Sequence, residues 1–379
     1  MPTVSACLIT KDEETRLPAC LSSLEGHVDE IVLVDTGSRD ATLAIARSFG
    51  CRTFQMPWRD DFSAPRNLGL DHATGDWILY IDADERLSCA TSMKDLLPAR
   101  DAAALRVKFH PRHDMTPYAE FRLFRRDPRI RFTGAMHESM VPGIMHVCEE
   151  DGSFIEDCHD IEIFHDGYEG DQSAKHARNL PLLKQAILDD PKRVYLRFHL
   201  GVTLLELGQG AEAVPHLKEG MKSAADARSS VRARMEGSMC AQVLCAALLD
   251  QGDTEGALHA AERGLRLMPR NLALRWARAR CLVGLKRSEE AVPELESLLD
   301  FDPDDVFDPD IAYEKSLFRA DSLGLLGSAW FGLREYRRAA DCFEEAARYS
   351  AEPREYSAKA ALSRAQIERS AKRQQSGRL

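Results

Sequence analysis

Three carboxylates stand within four residues of one another, directly after a run of apolar and aromatic residues. The run extends from Trp77 to Ile81, and Asp82-Ala83-Asp84-Glu85 follows it. Its continuous apolar character predicts a strand that is covered on both faces. Crowded carboxylates repel one another and lose hydration, so this cluster indicates a bound cation. An oxygen-rich site of this kind suits Mg²⁺ or Mn²⁺ together with a phosphorylated ligand.

Strand-like and helix-like patterns alternate ahead of the acidic cluster. We predict strands over residues 4–10, 30–34 and 51–55 and helices over residues 14–24, 41–49 and 65–73. This order predicts a parallel sheet with right-handed crossovers. Ligands of such sheets bind beyond the carboxyl ends of the strands, where Asp35 and Asp82 lie. The sequence has neither a Gly-x-Gly-x-x-Gly pattern after its first strand nor a Gly-Lys-Ser/Thr pattern, which argues against NAD enzymes and P-loop NTPases.

The second half of the chain, from about residue 171 to residue 370, is helical throughout and repeats itself. The recurrence at an offset of 34 residues links Leu248 with Leu282, Ala257 with Ala291, Leu265 with Leu299 and Pro269 with Pro303. This period, with small residues at helix crossings and a proline after the second helix, is the signature of tetratricopeptide repeats. We predict three to four helical pairs, followed by a polar tail over residues 371–379.

Composition limits the classes of protein that this chain can represent. Its 379 residues exceed one ordinary core, so two domains are expected. The net charge of −11 without a long basic run argues against nucleic-acid binding. No apolar stretch approaches the roughly 20 residues that span a bilayer, and no basic leader opens the sequence, so neither an integral membrane segment nor a signal peptide is expected. Ten cysteines without a Cys-x-x-Cys pair indicate reduced thiols in a cytoplasmic protein.

Several motifs together resemble those of the family 2 glycosyltransferases, which have the GT-A fold. In the first half they are residues 8–14 (LITKDEE), residues 34–40 (VDTGSRD), Ala64-Pro65-Arg66-Asn67 and Asp82-Ala83-Asp84. A second set is similar to the bacterial branch that carries tetratricopeptide repeats and includes the peptide S-glycosyltransferases of glycocin biosynthesis: Arg122-Leu123-Phe124-Arg125, His137-Glu138 and His165-Asp166-Gly167-Tyr168. The resemblance implies an α/β GT-A domain over residues 1–170, with a Rossmann-like mixed sheet flanked by helices. An all-α tetratricopeptide-like domain is then expected over residues 171–370.

The resemblance also implies a nucleotide-sugar donor, expected to be a UDP-sugar, and residues that bind it. Asp35 would accept hydrogen bonds from the uracil ring, and Thr10 and Glu13 would line the other side of the base. Arg66 would contact phosphate or ribose oxygens, as a guanidinium does well. Structural alternatives stay open: a turn and helix cap over residues 37–40, a solvated loop at Thr10 and Glu13, and a surface ion pair of Arg66 with Asp60 or Asp61.

The family pattern makes Asp84 the direct ligand of Mn²⁺ or Mg²⁺. Asp82 would contact the ribose or a metal-bound water, and Glu85 receives no role. Some GT-A enzymes supply a further metal ligand from a late histidine, which would be His165 here. Imidazole binds Mn²⁺ beside carboxylates, but a histidine after apolar residues also suits a structural role, and both interpretations remain open.

Inverting transfer needs a base that deprotonates the acceptor as it attacks the anomeric carbon. Family 2 enzymes place a carboxylate in the region of Glu138, which we therefore predict as the base. A strand-like segment over residues 129–132 precedes it. His137 remains an alternative base or a structural partner of Glu138, and an ordinary exposed glutamate is the remaining interpretation.

The sequence thus predicts a metal-dependent inverting glycosyltransferase of the hexosyltransferase type. Because tetratricopeptide arrays form grooves that hold extended peptides, we expect a peptide or protein acceptor. A cell-envelope glycan or lipid-linked sugar is the alternative acceptor, and an inactive tetratricopeptide scaffold is the alternative function. Such repeat domains often dimerise, so a homodimer is left open.

Overall fold

The computed structural model describes residues 2–98, 101–166, 173–226 and 230–376. The chain divides into two compact units. The first comprises Met1–His113, Pro117–Gln172 and Asp308–Ala312, and the second comprises Asp114–Thr116, Ser173–Phe307 and Tyr313–Leu379. The sequence predicts one boundary at residue 170, and it does not predict the two short segments, Asp114–Thr116 and Asp308–Ala312, that belong to the other unit.

One mixed sheet of eight strands forms the centre of the described part of the first unit. The strands are β1 (Val4–Thr10), β2 (Glu30–Asp35), β3 (Arg52–Gln55), β4 (Trp77–Tyr80), β5 (Glu85–Cys89), β6 (Ala102–His110), β7 (Tyr118–Arg125) and β8 (Phe154–His165). They lie in the order β3-β2-β1-β4-β7-β6-β8-β5. Strands β1 to β4 are parallel to their neighbours within this group, β7 is antiparallel to β4 and β6, and β8 is parallel to β6 but antiparallel to β5. The predicted mixed sheet is confirmed.

Helices cover both faces of the sheet, which explains the continuous apolar run at β4. The helices are α1 (Leu17–Leu24), α2 (Thr42–Ser48), α3 (Ser63–His72), α4 (Met93–Leu96) and α5 (Val141–Asp151). Successive side chains of a strand point to opposite faces. Trp77 and Leu79 therefore join the core that contains α1, whereas Ile78 joins the core that contains parts of α3 and α5.

The segment over residues 129–132 is not a strand, so that prediction was wrong. A side-chain turn replaces it: Oδ1 of Asp127 accepts the backbone N–H of Arg129 at 2.8 Å, and the Asp127 carbonyl accepts the N–H of Ile130 at 3.0 Å. Aspartate favours such local bonds to the following backbone, and they compete with strand formation.

The described part of the second unit is helical. Its helices are α6 (Ser173–Asp189), α7 (Val194–Glu206), α8 (Gly210–Ala224), α9 (Val231–Asp250), α10 (Thr254–Leu267), α11 (Leu272–Gly284), α12 (Ser288–Leu299), α13 (Ala320–Gly332), α14 (Tyr336–Tyr349) and α15 (Pro353–Ser376), with a short 3₁₀ helix at Lys315–Phe318. Helices α7 to α14 form four successive pairs, which agrees with the predicted repeat. The small residues Ala213, Ala257, Ala291 and Ala339 are fully buried.

The last helix continues into the segment predicted as a tail. Helix α15 reaches Ser376, and residues 377–379 lie outside the described residues. Among the helices that the structure describes, none combines the length and apolar character needed to cross a membrane.

Candidate functional site

The acidic cluster forms a tight turn at the carboxyl end of β4. The backbone N–H of Glu85 donates to the carbonyl of Asp82 at 3.0 Å, and the N–H of Asp82 donates to Oε2 of Glu85 at 2.8 Å. Ile81 and Ala83 are buried in the core, whereas the side chains of Asp82 and Asp84 are 34% and 25% exposed. The turn therefore presents two carboxylates and buries the third. We call residues 82–85 the acidic turn.

His165 lies beside Asp84 because β5 begins where β8 ends. In the antiparallel pair, Glu85 is opposite His165, and the N–H of Asp166 donates to the carbonyl of Asp84 at 2.9 Å. Nε2 of His165 is 3.4 Å from Oδ2 of Asp84. Burial by itself would lower the pKa of His165, but the hydrogen bond and charge of Asp84 raise it above its ordinary value. The structure thus brings two predicted metal ligands together.

The donors near the acidic turn fit a hard divalent cation in part. Among the described residues, no set of three His, Cys, Asp or Glu side chains is arranged to hold a metal ion alone. Nδ1 of His165 is 3.3 Å from the carbonyl of Pro111. A proton on Nδ1 would leave the lone pair on Nε2, which is the form of imidazole that binds metals. Asp84 and His165 could therefore supply two ligands, and Mg²⁺ or Mn²⁺ typically takes its other ligands from phosphate oxygens and water.

Arg66 joins the acidic turn to the predicted base. Its Nη2 lies 2.9 Å from Oδ1 of Asp82, and its Nε lies 2.6 Å from Oε1 of Glu138. Burial by itself would lower the pKa of Arg66, but these two carboxylates raise it above its ordinary value. Burial by itself would raise the pKa of Asp82, but the charges of Arg66 and Arg122 lower that pKa below its ordinary value. The observed partners of Arg66 are thus two carboxylates of the predicted site.

His137 and Glu138 lie in a narrow loop that starts and ends at a two-residue bridge. Thr133 and Ser139 exchange backbone hydrogen bonds of 3.1 and 3.0 Å. Gly134 and His137 have positive φ angles of 99° and 50° inside this loop. A positive φ is uncommon for a residue with a side chain, and such conformations persist where the surroundings enforce them. The loop geometry directs Glu138 towards Arg66.

Helix α3 fixes the same loop from outside. Oγ of Ser63 donates to the carbonyl of Gly134 at 2.7 Å. The side-chain amide of Asn67 donates to the carbonyl of Phe132 and accepts the N–H of Phe132, both at 2.9 Å. The helix that carries Arg66 therefore also positions the loop that carries its partner, Glu138.

The predicted base-binding residues lie at the ends of β1 and β2. Asp35 is 1% exposed, and its Oδ2 accepts the N–H groups of Gly37 and Ser38 at 3.0 and 3.1 Å. Thr10 is its neighbour in the sheet, and in the described part of the chain its buried Oγ1 has no hydrogen-bond partner. Burial raises the pKa of Glu13, and the charge of nearby Asp84 raises it further. Glu13 thus lies near the acidic turn, and Thr10 lies beside Asp35.

Glu85, the buried carboxylate of the acidic turn, forms an ion pair with Arg122, and the sequence motifs assign no role to either residue. Nη2 of Arg122 lies 2.7 Å from Oε1 of Glu85. Burial raises the pKa of Glu85 to about 7, against the charge of Arg122. The sequence feature that could have identified this ion pair is the position of Arg122 between Phe121 and Leu123, because a cation in an apolar strand needs a carboxylate nearby. Gly167 and Tyr168 of the last predicted motif lie outside the described residues.

Two parts of the chain match known families. Residues 5–93 match glycosyl transferase family 2, and residues 248–312 match the tetratricopeptide repeat. The first match contains Thr10, Glu13, Asp35, Arg66, Asp82 and Asp84. The chain therefore combines a family 2 glycosyltransferase domain with tetratricopeptide repeats, and the predicted combination is confirmed.

Individual relatives cover part of the chain. A TPR repeat-containing protein of Synechococcus elongatus is 37% identical over 59% of this chain and 57% of its own length. The glycosyltransferase SunS of Bacillus subtilis is 27% identical over 59% of this chain and 54% of its own length. The chain thus spans just over half the length of these curated relatives. The solved glucosyl-3-phosphoglycerate synthase of Mycobacterium tuberculosis, in complex with Mn²⁺ and UDP, is 16% identical over 49% of this chain and 80% of its own, with a TM-score of 0.36.

Proposed function

We propose that this protein is a metal-dependent inverting glycosyltransferase that uses a nucleotide sugar, expected to be a UDP-sugar. The observation that carries the proposal is the double ion pair of Arg66, whose side chain is 9% exposed and whose guanidinium contacts both Asp82 of the acidic turn and Glu138. Arg66 thereby links a carboxylate suited to the donor's ribose or to a water with a carboxylate suited to the acceptor. The family match over residues 5–93 supports the reaction class.

The donor would lie across the carboxyl ends of β1, β2 and β4, with its base at Asp35 and Thr10. Oγ1 of Thr10 can bond to a ligand without giving up a bond within the protein. Asp84 and His165 would hold the divalent cation, which, when bound, neutralises charge on the diphosphate leaving group. Asp82, whose Oδ1 is occupied by Arg66, keeps Oδ2 for a ribose hydroxyl or a water.

Glu138 would act as the base of a single displacement. Arg66 holds Oε1 of Glu138, which leaves Oε2 to accept the acceptor's proton. The acceptor heteroatom forms a bond to the anomeric carbon, and the bond from that carbon to the diphosphate oxygen breaks with its electron pair. Attack from the side opposite the leaving group inverts the anomeric configuration. Arg66 thus serves to orient the base relative to the donor.

Donor binding tests the proposal directly. We expect a nucleoside diphosphate sugar to raise the melting temperature of the full-length protein in the presence of Mn²⁺, because a ligand at about 100 times its Kd stabilises the native state by about 2.7 kcal/mol. Asp84→Asn should lose the Mn²⁺-dependent part of the shift. Asp71→Asn, which alters an exposed carboxylate paired with Arg131, should keep it. A panel of donors that leaves the wild-type melting temperature unchanged would contradict the proposal.

We further propose a peptide or protein acceptor that binds the helical repeats. Helices α7, α9, α11 and α13 pack against one another in succession, as the first helices of tetratricopeptide pairs do. Helix α11 carries the partly exposed Trp276, and the guanidinium carbon of Arg280 lies 5.7 Å from the centre of its ring. Trp276→Ala should lower transfer to peptides in a library while donor hydrolysis stays unchanged. Transfer to glycans and not to peptides would favour the envelope acceptor.

A further inference from the structure

The ion pair of Glu85 and Arg122 joins the buried carboxylate of the acidic turn to β7, outside the set of groups that would touch donor or acceptor. Glu85 is 1% exposed and opens β5, whereas Arg122 is 5% exposed and lies in β7. Taking two charges out of water costs several kcal/mol for each ion, and one ion pair seldom repays that cost. A pair of this kind at this place therefore needs an explanation.

Both oxygens of the Glu85 carboxylate are in use. Oε2 accepts the backbone N–H of Asp82 at 2.8 Å, and Oε1 accepts the bond from Arg122 at 2.7 Å. The N–H of Glu85 also donates to the carbonyl of Asp82, so two hydrogen bonds join Asp82 and Glu85 across the acidic turn. The carboxylate consequently links the turn backbone to a fixed cation on a neighbouring part of the sheet.

Arg122 is held by its ion pair with Glu85 and by contacts with two aromatic rings. Its guanidinium carbon lies 4.4 Å from the centre of the Tyr80 ring and 4.7 Å from that of Phe109. Within the described residues, its buried Nε and Nη1 have no hydrogen-bond partner. Buried donors without a partner lower stability, so the position of Arg122 is not explained by stability alone. The centre of the Tyr80 ring is also 5.1 Å from the guanidinium carbon of Arg66, so this ring contacts both cations of the site.

We propose that Glu85 and Arg122 are positioning residues for the cation site of the acidic turn. Arg122 neutralises and anchors Glu85, and Glu85 fixes the backbone from which Asp82 and Asp84 project, so that the third acid supports the other two. This inference rests on the proposed function, because it assumes that the turn binds a divalent cation through Asp84.

Direct Mn²⁺ binding tests the inference, measured on the full chain by the loss of the free-ion signal in electron paramagnetic resonance. The main variant is Glu85→Leu with Arg122→Met, because apolar replacement of a whole buried pair tends to preserve stability whereas removal of one partner does not. We expect Mn²⁺ affinity to fall about tenfold or more, as is typical when the supports of metal ligands are removed. Arg86→Gln removes the exposed pair of Arg86 with Asp166 from the same strand and should leave the affinity unchanged.

A second variant guards against a folding defect in the first. Glu85→Asp keeps the charge but shortens the side chain by one methylene, so that it cannot reach both Arg122 and the N–H of Asp82. It should also weaken Mn²⁺ binding, with a melting temperature close to that of the wild type. Wild-type affinity in a folded Glu85→Asp protein would overturn the inference and leave the proposed function intact. Equal Mn²⁺ binding by the wild type and Asp84→Asn would overturn the assigned cation site, and the inference with it.

Discussion

The two units of this protein treat buried charge differently. Among the described residues of the first unit, the acidic turn and its neighbours bury Asp35, Glu85 and Arg122. Among the described residues of the second unit, the buried charged side chain is that of Glu236. Its partner Arg232 lies one helical turn away and is 44% exposed. Isolated buried charges cost stability, and helix packing avoids them wherever chemistry does not require them. The difference indicates that the sheet edge of the first unit is arranged for chemistry and the helical unit for packing.

The second unit is characterised by close contacts between helices rather than by buried charges. Gly237 of α9 lies so near α8 that an added Cβ would be 2.2 Å from the Cβ of Ala224. Gly264 of α10 is similarly close to Ala241. Small residues at such crossings let neighbouring helices approach, and the interior then reaches the density that stabilises a repeat array.

The largest effect is expected where the common cation of Asp82 and Glu138 is removed. Arg66→Met should destabilise the protein by about 3–5 kcal/mol, because it leaves Asp82 and Glu138 without their common cation. Donor turnover should also fall, since the base loses its orientation. Arg131→Met, which breaks the more exposed pair with Asp71, should cost less than about 1 kcal/mol. Urea unfolding of both variants measures the contrast, and equal costs would remove the distinction between site and surface charges.

An intermediate effect is expected at the helix crossing. Gly237→Ala should destabilise the second unit by about 1–3 kcal/mol, because the Ala224 Cβ cannot move without its backbone. The gain in helix propensity of about 1 kcal/mol does not offset this clash. Gly284→Ala, where the nearest atom is Cγ2 of Thr254 at 3.4 Å, is the matched control and should be neutral or stabilising. Thermal melts of the two variants check the prediction, and a stabilised Gly237→Ala protein would contradict it.

The smallest effect concerns a charge of the first unit that lies away from the site. Burial would raise the pKa of Glu30, but bonds from Ser5, Thr74 and Arg52 lower it to about 2. A carboxylate whose pKa is depressed on folding stabilises the native state above its unfolded pKa near 4.5, and the stabilisation is lost as the pH falls towards 2. Glu30→Gln should therefore cost about 1–2 kcal/mol at pH 7 and less at pH 3.5. A cost that does not change between these pH values would show that Glu30 acts through packing instead.

The sequence predicted the parallel half of the sheet better than the antiparallel half. Strand β1 was predicted at the observed residues, because its apolar run is bounded by polar residues on both sides. Strand β8 gave a weak signal, since many of its side chains are exposed and its pairing partners β5 and β6 are distant in sequence. The pattern of one strand does not specify which distant strand will pair with it.

Residue types at the site were predicted, but their pairings were not. Asp84 and His165 were predicted as candidates for one cation, and the structure places them side by side. The bond of Arg66 to Glu138 joins residues 72 positions apart, and that of Arg122 to Glu85 joins residues 37 apart. Such contacts depend on the sheet order and on the 133–139 loop, which local patterns do not encode. The roles of the individual residues remain predictions.

The stereochemistry of sugar release is the direct test of single displacement at the acidic turn. An α-linked UDP-sugar that the protein accepts is incubated with Mn²⁺, and the anomeric proton of the first sugar product is followed by NMR before mutarotation. Single displacement gives a β product, and we expect Glu138→Gln and Asp84→Asn each to lose the activity while Asp71→Asn retains it. An α product, or turnover that survives both substitutions, would contradict single displacement at the acidic turn.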